Sequence, residues 1–187
     1  MLPFLKVKGL EELERNEMWD AAIETLYDNW KADEYNVQKL CRVLAECWYV
    51  MSEYSAEFSV EKIKFLKAIL IETYQFGMIH FVSNQNFLWL AGYMSSMFPF
   101  YFYCEKVEDL YSKIENEGIH MLLVSTQIEP QNLLFKVLYL GTLGFSEEYD
   151  LARHQLMPKL NTIFAGASAI ERYFKEVLKC TDKPISP

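Results

Sequence analysis

The stretch Trp19-Asp20-Ala21-Ala22-Ile23-Glu24-Thr25-Leu26-Tyr27-Asp28-Asn29-Trp30 decides the fold class. Trp19, Ala22, Ile23, Leu26 and Trp30 fall at i, i+3, i+4, i+7 and i+11, which places them on one apolar face of a helix. The helical period reaches back to Leu10 and predicts one element over 10–30. Asp20, Glu24 and Asp28 recur every fourth residue on the opposite side, so they form one acidic stripe facing water. Like charges at that spacing cost a few tenths of a kcal/mol per pair in an isolated helix. The stripe reads either as a solvated face or as a docking edge for a basic partner.

The same period continues down the chain. Val37, Leu40, Cys41, Leu44, Trp48 and Met51 make the buried stripe of a second helix, predicted over 37–51. The short connection Asp33-Glu34-Tyr35-Asn36 turns it back antiparallel on the first. Ser59 is the N-cap of a third helix that ends near Phe81, with Ile63, Leu66, Ile69, Leu70, Thr73 and Tyr74 facing inward. Ser83-Asn84-Gln85-Asn86 is a polar break, and Pro99 ends or kinks the segment that follows. A helix over 105–117 is expected to stop at Gly118, with another over 119–127. Pro130 suits the first turn of a helix running to Leu140. Ser146-Glu147-Glu148 opens a further one by cap and dipole logic. Pro158 opens the last long helix, whose stripe is Leu160, Ile163, Phe164, Ala167, Ile170, Phe174, Val177 and Leu178. Gly166-Ala167-Ser168-Ala169 reads as small-residue packing inside that helix. Ile119 to Val124 is the one run that could pass for a buried strand, and it has no partner. The expectation is an all-α protein. Seven to nine helices pack as antiparallel hairpins in a single globular bundle over residues 1–180, and a loose tail covers 181–187.

Between Glu72 and Glu105 lie 32 consecutive residues without Asp, Glu, Lys or Arg. The net charge of −8 therefore sits in the flanks, and the first 34 residues hold nine acids against four bases. The stretch 87–104 is at the minimum length for a spanning helix. It contains Ser95, Ser96 and Pro99, uses aromatics where lipid-facing helices use Leu and Val, and has no Lys or Arg cluster before it. It reads as core, or as an aromatic face for a partner through Phe100, Tyr101 and Tyr103, because rings with one wet edge suit interfaces. A membrane is not expected as a partner. An acidic surface also repels phosphate, so nucleic acid is not expected either.

No residue pattern names a reaction. Cys41, Cys47, Cys104 and Cys180 make no Cys-x-x-Cys pair, and no histidine stands at zinc spacing from them. They read as buried free thiols of a reducing cytoplasm. His80, His120 and His154 are far apart, there is no Gly-x-Ser-x-Gly elbow, and there is no phosphate-binding glycine loop. The acid pairs Glu11-Glu12 and Glu147-Glu148 stand at helix starts, where the helix dipole accounts for them. No catalytic residue, metal or cofactor is expected. The N-terminal residues Met1 to Lys8 lack a charged region followed by a long apolar run, so a secretory signal is not expected and the cytoplasm is the expected compartment.

The run from Trp19 to Asn36 resembles the second helix of a tetratricopeptide repeat. Trp19 stands where that family often has Tyr, Ala22 at its small position and Leu26 at its packing position. Asn29 replaces the second small residue and Glu34 the closing proline. The likeness covers about 18 residues, with no second copy one repeat length later, and implies helical-hairpin packing rather than an array. Leu10-Glu11-Glu12-Leu13, Met18-Trp19, Ala22-Ile23 and Glu46-Cys47-Trp48-Tyr49-Val50 resemble the small acidic immunity proteins of bacterial contact-dependent growth inhibition systems. That resemblance implies an all-helical, non-enzymatic protein that binds and occludes a cognate toxin domain, often a basic nuclease. Asp20, Glu24 and Asp28 would then supply the charged part of the interface, and Phe100, Tyr101 and Tyr103 the aromatic anchor. The alternatives are a tetratricopeptide-like adaptor for a peptide, which needs a concave groove, and a small helical enzyme, which needs His or carboxylates converging in a pocket.

Overall fold

Five short polar side chains fix where helices begin. Asn36, Ser59, Asn84, Asn132 and Ser146 each accept hydrogen bonds from backbone N–H groups two or three residues on, at 3.0–3.4 Å. Each thereby satisfies donors that the first helical turn leaves open. The computed structural model describes residues 7–103 and 109–179. Within them run α1 (Leu10–Arg15), α2 (Trp19–Lys31), α3 (Val37–Tyr54), α4 (Val60–His80), α5 (Gln85–Met97), α6 (Leu110–Ile128), α7 (Leu133–Thr142), α8 (Glu147–Leu156), the single turn α9 (Leu160–Ile163) and α10 (Ala169–Lys179). Nine helices, the turn α9 and three short 3-10 turns (Ser55–Glu57, Pro99–Tyr101 and Met157–Lys159) make up the regular structure of the described residues, with no strand among them. Ile119 to Val124 lies within α6.

Neighbours in the chain pack on one another: α2 on α3, α3 on α4, α5 on α6, α6 on α7 and α7 on α8. Apart from that of α5 to α6, these connections are four or five residues long, which makes those pairs antiparallel hairpins. α10 closes the bundle by returning to α3 and α1. α3 is the central element, and every residue from Leu40 to Trp48 is buried. Trp48 holds three rings from distant parts of the chain, with Tyr93, Phe98 and Tyr173 at centroid distances of 5.3–5.8 Å. The chargeless stretch supplies the other half of the core: Phe87, Leu88, Trp89, Leu90 and Met94 are all buried.

Four expectations from the sequence need correction. The period over 10–30 is interrupted, because Glu17 takes φ 56° and α1 and α2 are separate helices. Apolar spacing that continues across such a turn does not reveal it. Gly118 does not stop a helix but sits inside α6. A Cβ there would lie 2.5 Å from Ser95 Oγ, 2.7 Å from Ser96 N and 2.8 Å from Gly92 O, so glycine is what lets α5 and α6 approach closely. Pro130 lies in the turn before α7, and Asn132 is the cap. The last predicted helix is broken over 164–168. Glu171 folds back to accept from Gly166 N at 2.9 Å and Ser168 Oγ at 2.8 Å, and Glu14 accepts from Ala169 N at 2.6 Å. Carboxylates have taken the donors that a continuous helix would have used, and Gly166-Ala167-Ser168-Ala169 is a helix start rather than a packing stripe. The predicted tail 181–187, the start of the helix expected from Glu105, and Cys104 and Cys180 lie outside the described residues.

Candidate functional site

α2 presents Asp20, Glu24 and Asp28 on its exposed side, while Trp19, Ala22, Ile23, Leu26 and Trp30 are buried against α3. The three carboxylates are not equivalent. Asp20 is paired with Lys62 of α4 at 2.9 Å, and that ammonium also stands 3.9 Å from the Phe58 ring centroid. At the other end of α2, Lys31 binds Glu34 and reaches Glu72 of α4 at 3.2 Å, while the Tyr27 hydroxyl donates to Glu72 at 2.9 Å. Contacts from residue 20 to 62 and from 27 and 31 to 72 mean that α2 and α4 lie side by side and parallel. Between those neutralised ends, Glu24 and Asp28 make no ion pair among the described residues. One helical turn apart, they are the free anionic charge of this face.

The aromatic candidates lie on the other flank of α4. Phe100 and Tyr101 occupy a 3-10 turn, Pro99–Tyr101, after α5. Tyr101 is half-buried and its hydroxyl donates to the Met51 carbonyl at 2.9 Å, which ties the turn to the end of α3. Phe100 is 42% exposed, and its carbonyl accepts from Lys67 of α4 at 2.8 Å. The same ammonium stands 5.6 Å from the Tyr103 ring centroid. Of the three, Phe100 alone offers a large open apolar surface. The acidic stripe and the aromatic turn are therefore not joined in one patch; α4 separates them.

Two open concavities flank α4. One of about 300 Å³ is lined by Met18, Trp19, Asp20, Phe58 and Lys62. The other, of about 440 Å³, is lined by Ile71, Tyr74, Phe102, Tyr103, Ile114 and Glu117. Neither contains a histidine or cysteine. Among the described residues no group of three or more His, Cys, Asp or Glu is placed to hold a metal ion, and no helix is long and apolar enough to cross a membrane.

A second charged cluster, absent from the sequence reading, lies in the core. Arg42 reaches Glu14 with Nη2 and Glu46 with Nη1, the latter at 2.5 Å, and all three side chains are buried. Two carboxylates share one guanidinium, and Glu46 Oε1 has no hydrogen-bond partner among the described residues. Burial and the Glu46 charge outweigh the attraction of Arg42 and raise the Glu14 pKa to about 7. The signal for α3 was present in the sequence. Six of the eight residues from Leu40 to Cys47 are apolar, so Arg42 and Glu46, at i and i+4, had little to pair with but each other. Glu14 sits in an acidic run that reads as surface, and nothing in its spacing sets it apart.

The fold and this face define an all-helical protein with an acidic edge on α2. Compared with protein families, with characterised proteins and with solved structures, the chain matches none.

Proposed function

We propose that this chain is a non-enzymatic binding protein that captures and occludes a basic protein domain. The partner is of the kind that the immunity-protein resemblance implies, the toxin domain of a contact-dependent growth inhibition system. The observation that carries the reading is the pair Glu24 and Asp28, exposed on α2 and free of cationic partners among the described residues, within a chain of net charge −8. A toxin that acts on nucleic acid holds phosphates with Lys and Arg. Carboxylates presented on a rigid helix compete for those groups, speed the encounter at low salt and leave the bound toxin unable to take its substrate.

The test takes the product of the reading frame beside this chain's own gene as the candidate toxin domain. The two are co-purified, and affinity is measured at low and moderate salt for the parent chain and for Glu24→Lys/Asp28→Lys. The expected result is a stoichiometric complex whose affinity falls with salt, with the double variant binding at least about tenfold more weakly at low salt. Absence of a complex, or a complex whose affinity and salt slope the double variant leaves unchanged, would overturn the proposal. Asp20 is left alone in this test because Asp20→Lys would set two ammonium groups together at Lys62.

A further inference from the structure

Resting on that reading, we infer that the exposed crest of α4 and the free carboxylates of α2 form one docking surface, and that its occupant is a basic amphipathic helix of the partner protein. α4 buries Leu66, Ile69, Leu70, Thr73, Tyr74 and Gly77. A helix with one buried face normally turns charge to water on the other. This one does not. Phe65 is 51% exposed and Ile79 72%, Ala68 is open and Ile71 half-covered. At the C-terminal end Tyr35, 71% exposed, continues the crest by packing edge-on against Phe76 and His80 at 5.7 and 5.2 Å. From Phe65 to Ile79 the crest runs about 21 Å, four turns of helix.

Charge complementarity selects the occupant. Because α2 lies parallel to α4, Glu24 and Asp28 form an anionic flank along the crest. Lys31 and Lys62 are already committed to Glu72 and Asp20, while Lys64 beside Phe65 is exposed and makes no ion pair among the described residues. A ligand that satisfies both features is apolar along one side and cationic along the next, over about four turns. That is the pattern of a basic amphipathic helix read as i, i+3, i+4, i+7 anchors. A second copy of this chain would bring the same acidic edge, and an anionic lipid surface would be repelled by it.

The probe is a synthetic helix of about 18 residues built from Leu and Lys at amphipathic spacing. Its controls are a scrambled peptide of identical composition and a Leu/Glu counterpart. Binding is read by fluorescence anisotropy at low and moderate salt, with helicity and thermal midpoint recorded for every variant. The amphipathic Lys peptide is expected to bind, the scrambled peptide about tenfold more weakly, and the Glu counterpart not at all. Phe65→Ser/Ile79→Ser should weaken binding about tenfold at both salts. Glu24→Lys/Asp28→Lys should weaken it chiefly at low salt. Equal binding of the scrambled peptide, or binding that Phe65→Ser/Ile79→Ser leaves unchanged, overturns the inference. So does concentration-dependent dimerisation that Phe65→Ser/Ile79→Ser abolishes, since a second copy would then be the occupant. If the toxin complex persists with its salt dependence while Phe65→Ser/Ile79→Ser has no effect on it, the helix-docking inference falls and the proposed function stands. If no toxin complex forms, the reading it rests on has failed first.

Discussion

The Glu14 carboxylate accepts the backbone N–H of Ala169 at 2.6 Å, across 155 residues of chain. One oxygen of a buried side chain in α1 therefore caps the N-terminus of α10, while the other is held by Arg42 of α3. A single residue joins the first helix, the central helix and the last. Glu14→Ala would leave Arg42 Nη2 and the Ala169 N–H at the start of α10 without their acceptor, while Glu46 still balances the guanidinium charge. Leaving a buried donor unsatisfied costs about 1–3 kcal/mol, and two are left here. The expected outcome is a loss of that size in urea denaturation, with α10 the first helix to exchange its amide protons. A loss under about 1 kcal/mol would mean that water or a rearranged Glu46 takes over the role.

The same cluster sets a pH dependence. The Glu14 pKa is raised to about 7 by burial first and then by Glu46, against the pull of Arg42, Arg172 and the Ala169 N–H; Cys47 also stands beside Glu46. Between its ordinary value near 4.5 and that raised value, the folded protein holds a proton that the unfolded chain has released. Folding stability contributed by this group is therefore greatest below about pH 4.5 and declines as pH rises towards 7. Glu14→Gln has no proton to lose. The stability of the parent minus that of Glu14→Gln, measured by urea denaturation at pH 4.5, 5.5 and 7, should shrink across the window. A difference that stays constant would show that Glu14 is ionised throughout.

Gly118 separates two opposing effects in one substitution. Alanine is better than glycine inside a helix by about 1 kcal/mol. At this position its methyl would meet Ser96 N at 2.7 Å and Gly92 O at 2.8 Å, both backbone atoms that cannot turn aside. Forcing α5 and α6 apart costs about 1–3 kcal/mol or more, so Gly118→Ala should be net destabilising and lower the thermal midpoint. A raised midpoint would place the two helices further apart than described.

Cys41 and Cys47 are free and wholly buried on α3. Burial pushes the Cys41 thiol up to about 12, and burial together with Glu46 pushes Cys47 up as well. Neither holds thiolate at neutral pH, and the thiolate is the reactive form. In a Cys104→Ser/Cys180→Ser background, a thiol reagent should label the native protein only as fast as it unfolds, and both residues promptly in denaturant. Fast native-state labelling would mean that α3 opens locally.

Much of the architecture was legible because it rests on local rules. The stripes of α2 and α3 carry the 3.6-residue period, and Ser59, Asn84 and Ser146 are caps whose chemistry needs no tertiary partner. What was not legible depends on contacts between distant residues. Gly118 reads as a stop until Gly92 and Ser95 are seen against it, and the 164–168 break depends on Glu14 from the far end of the chain. The candidate face divides the same way. The exposure of Asp20, Glu24 and Asp28 followed from spacing alone. That Lys62 neutralises Asp20 and leaves the other two free required the parallel placement of α2 and α4. The open crest of α4 escaped the sequence because Phe65 and Ile79 belong to a helix with apolar residues on both sides, where period carries little information.

Tyr101 and Phe100 stand next to each other in the aromatic turn and are expected to answer differently. The Tyr101 hydroxyl is turned inward, donating to the Met51 carbonyl, and its ring packs against Phe98 at 5.6 Å. Tyr101→Phe keeps the ring and deletes one hydrogen bond at the end of α3, so it should cost about 1 kcal/mol of stability. Because that hydroxyl faces the core, the variant should bind the toxin partner as the parent does. Phe100→Ala removes an exposed ring held by Tyr101 at 4.4 Å and Phe98 at 5.8 Å, a pair contribution of about 1 kcal/mol. A partner that reaches across α4 to the aromatic turn would lose at least about tenfold in affinity with Phe100→Ala, beyond any change in folding. The paired measurements are the urea midpoint and the affinity of the complex for both variants. Unchanged stability with weakened binding in Tyr101→Phe would show that the hydroxyl turns outward to the partner, and would move the anchor from α4 to the aromatic turn.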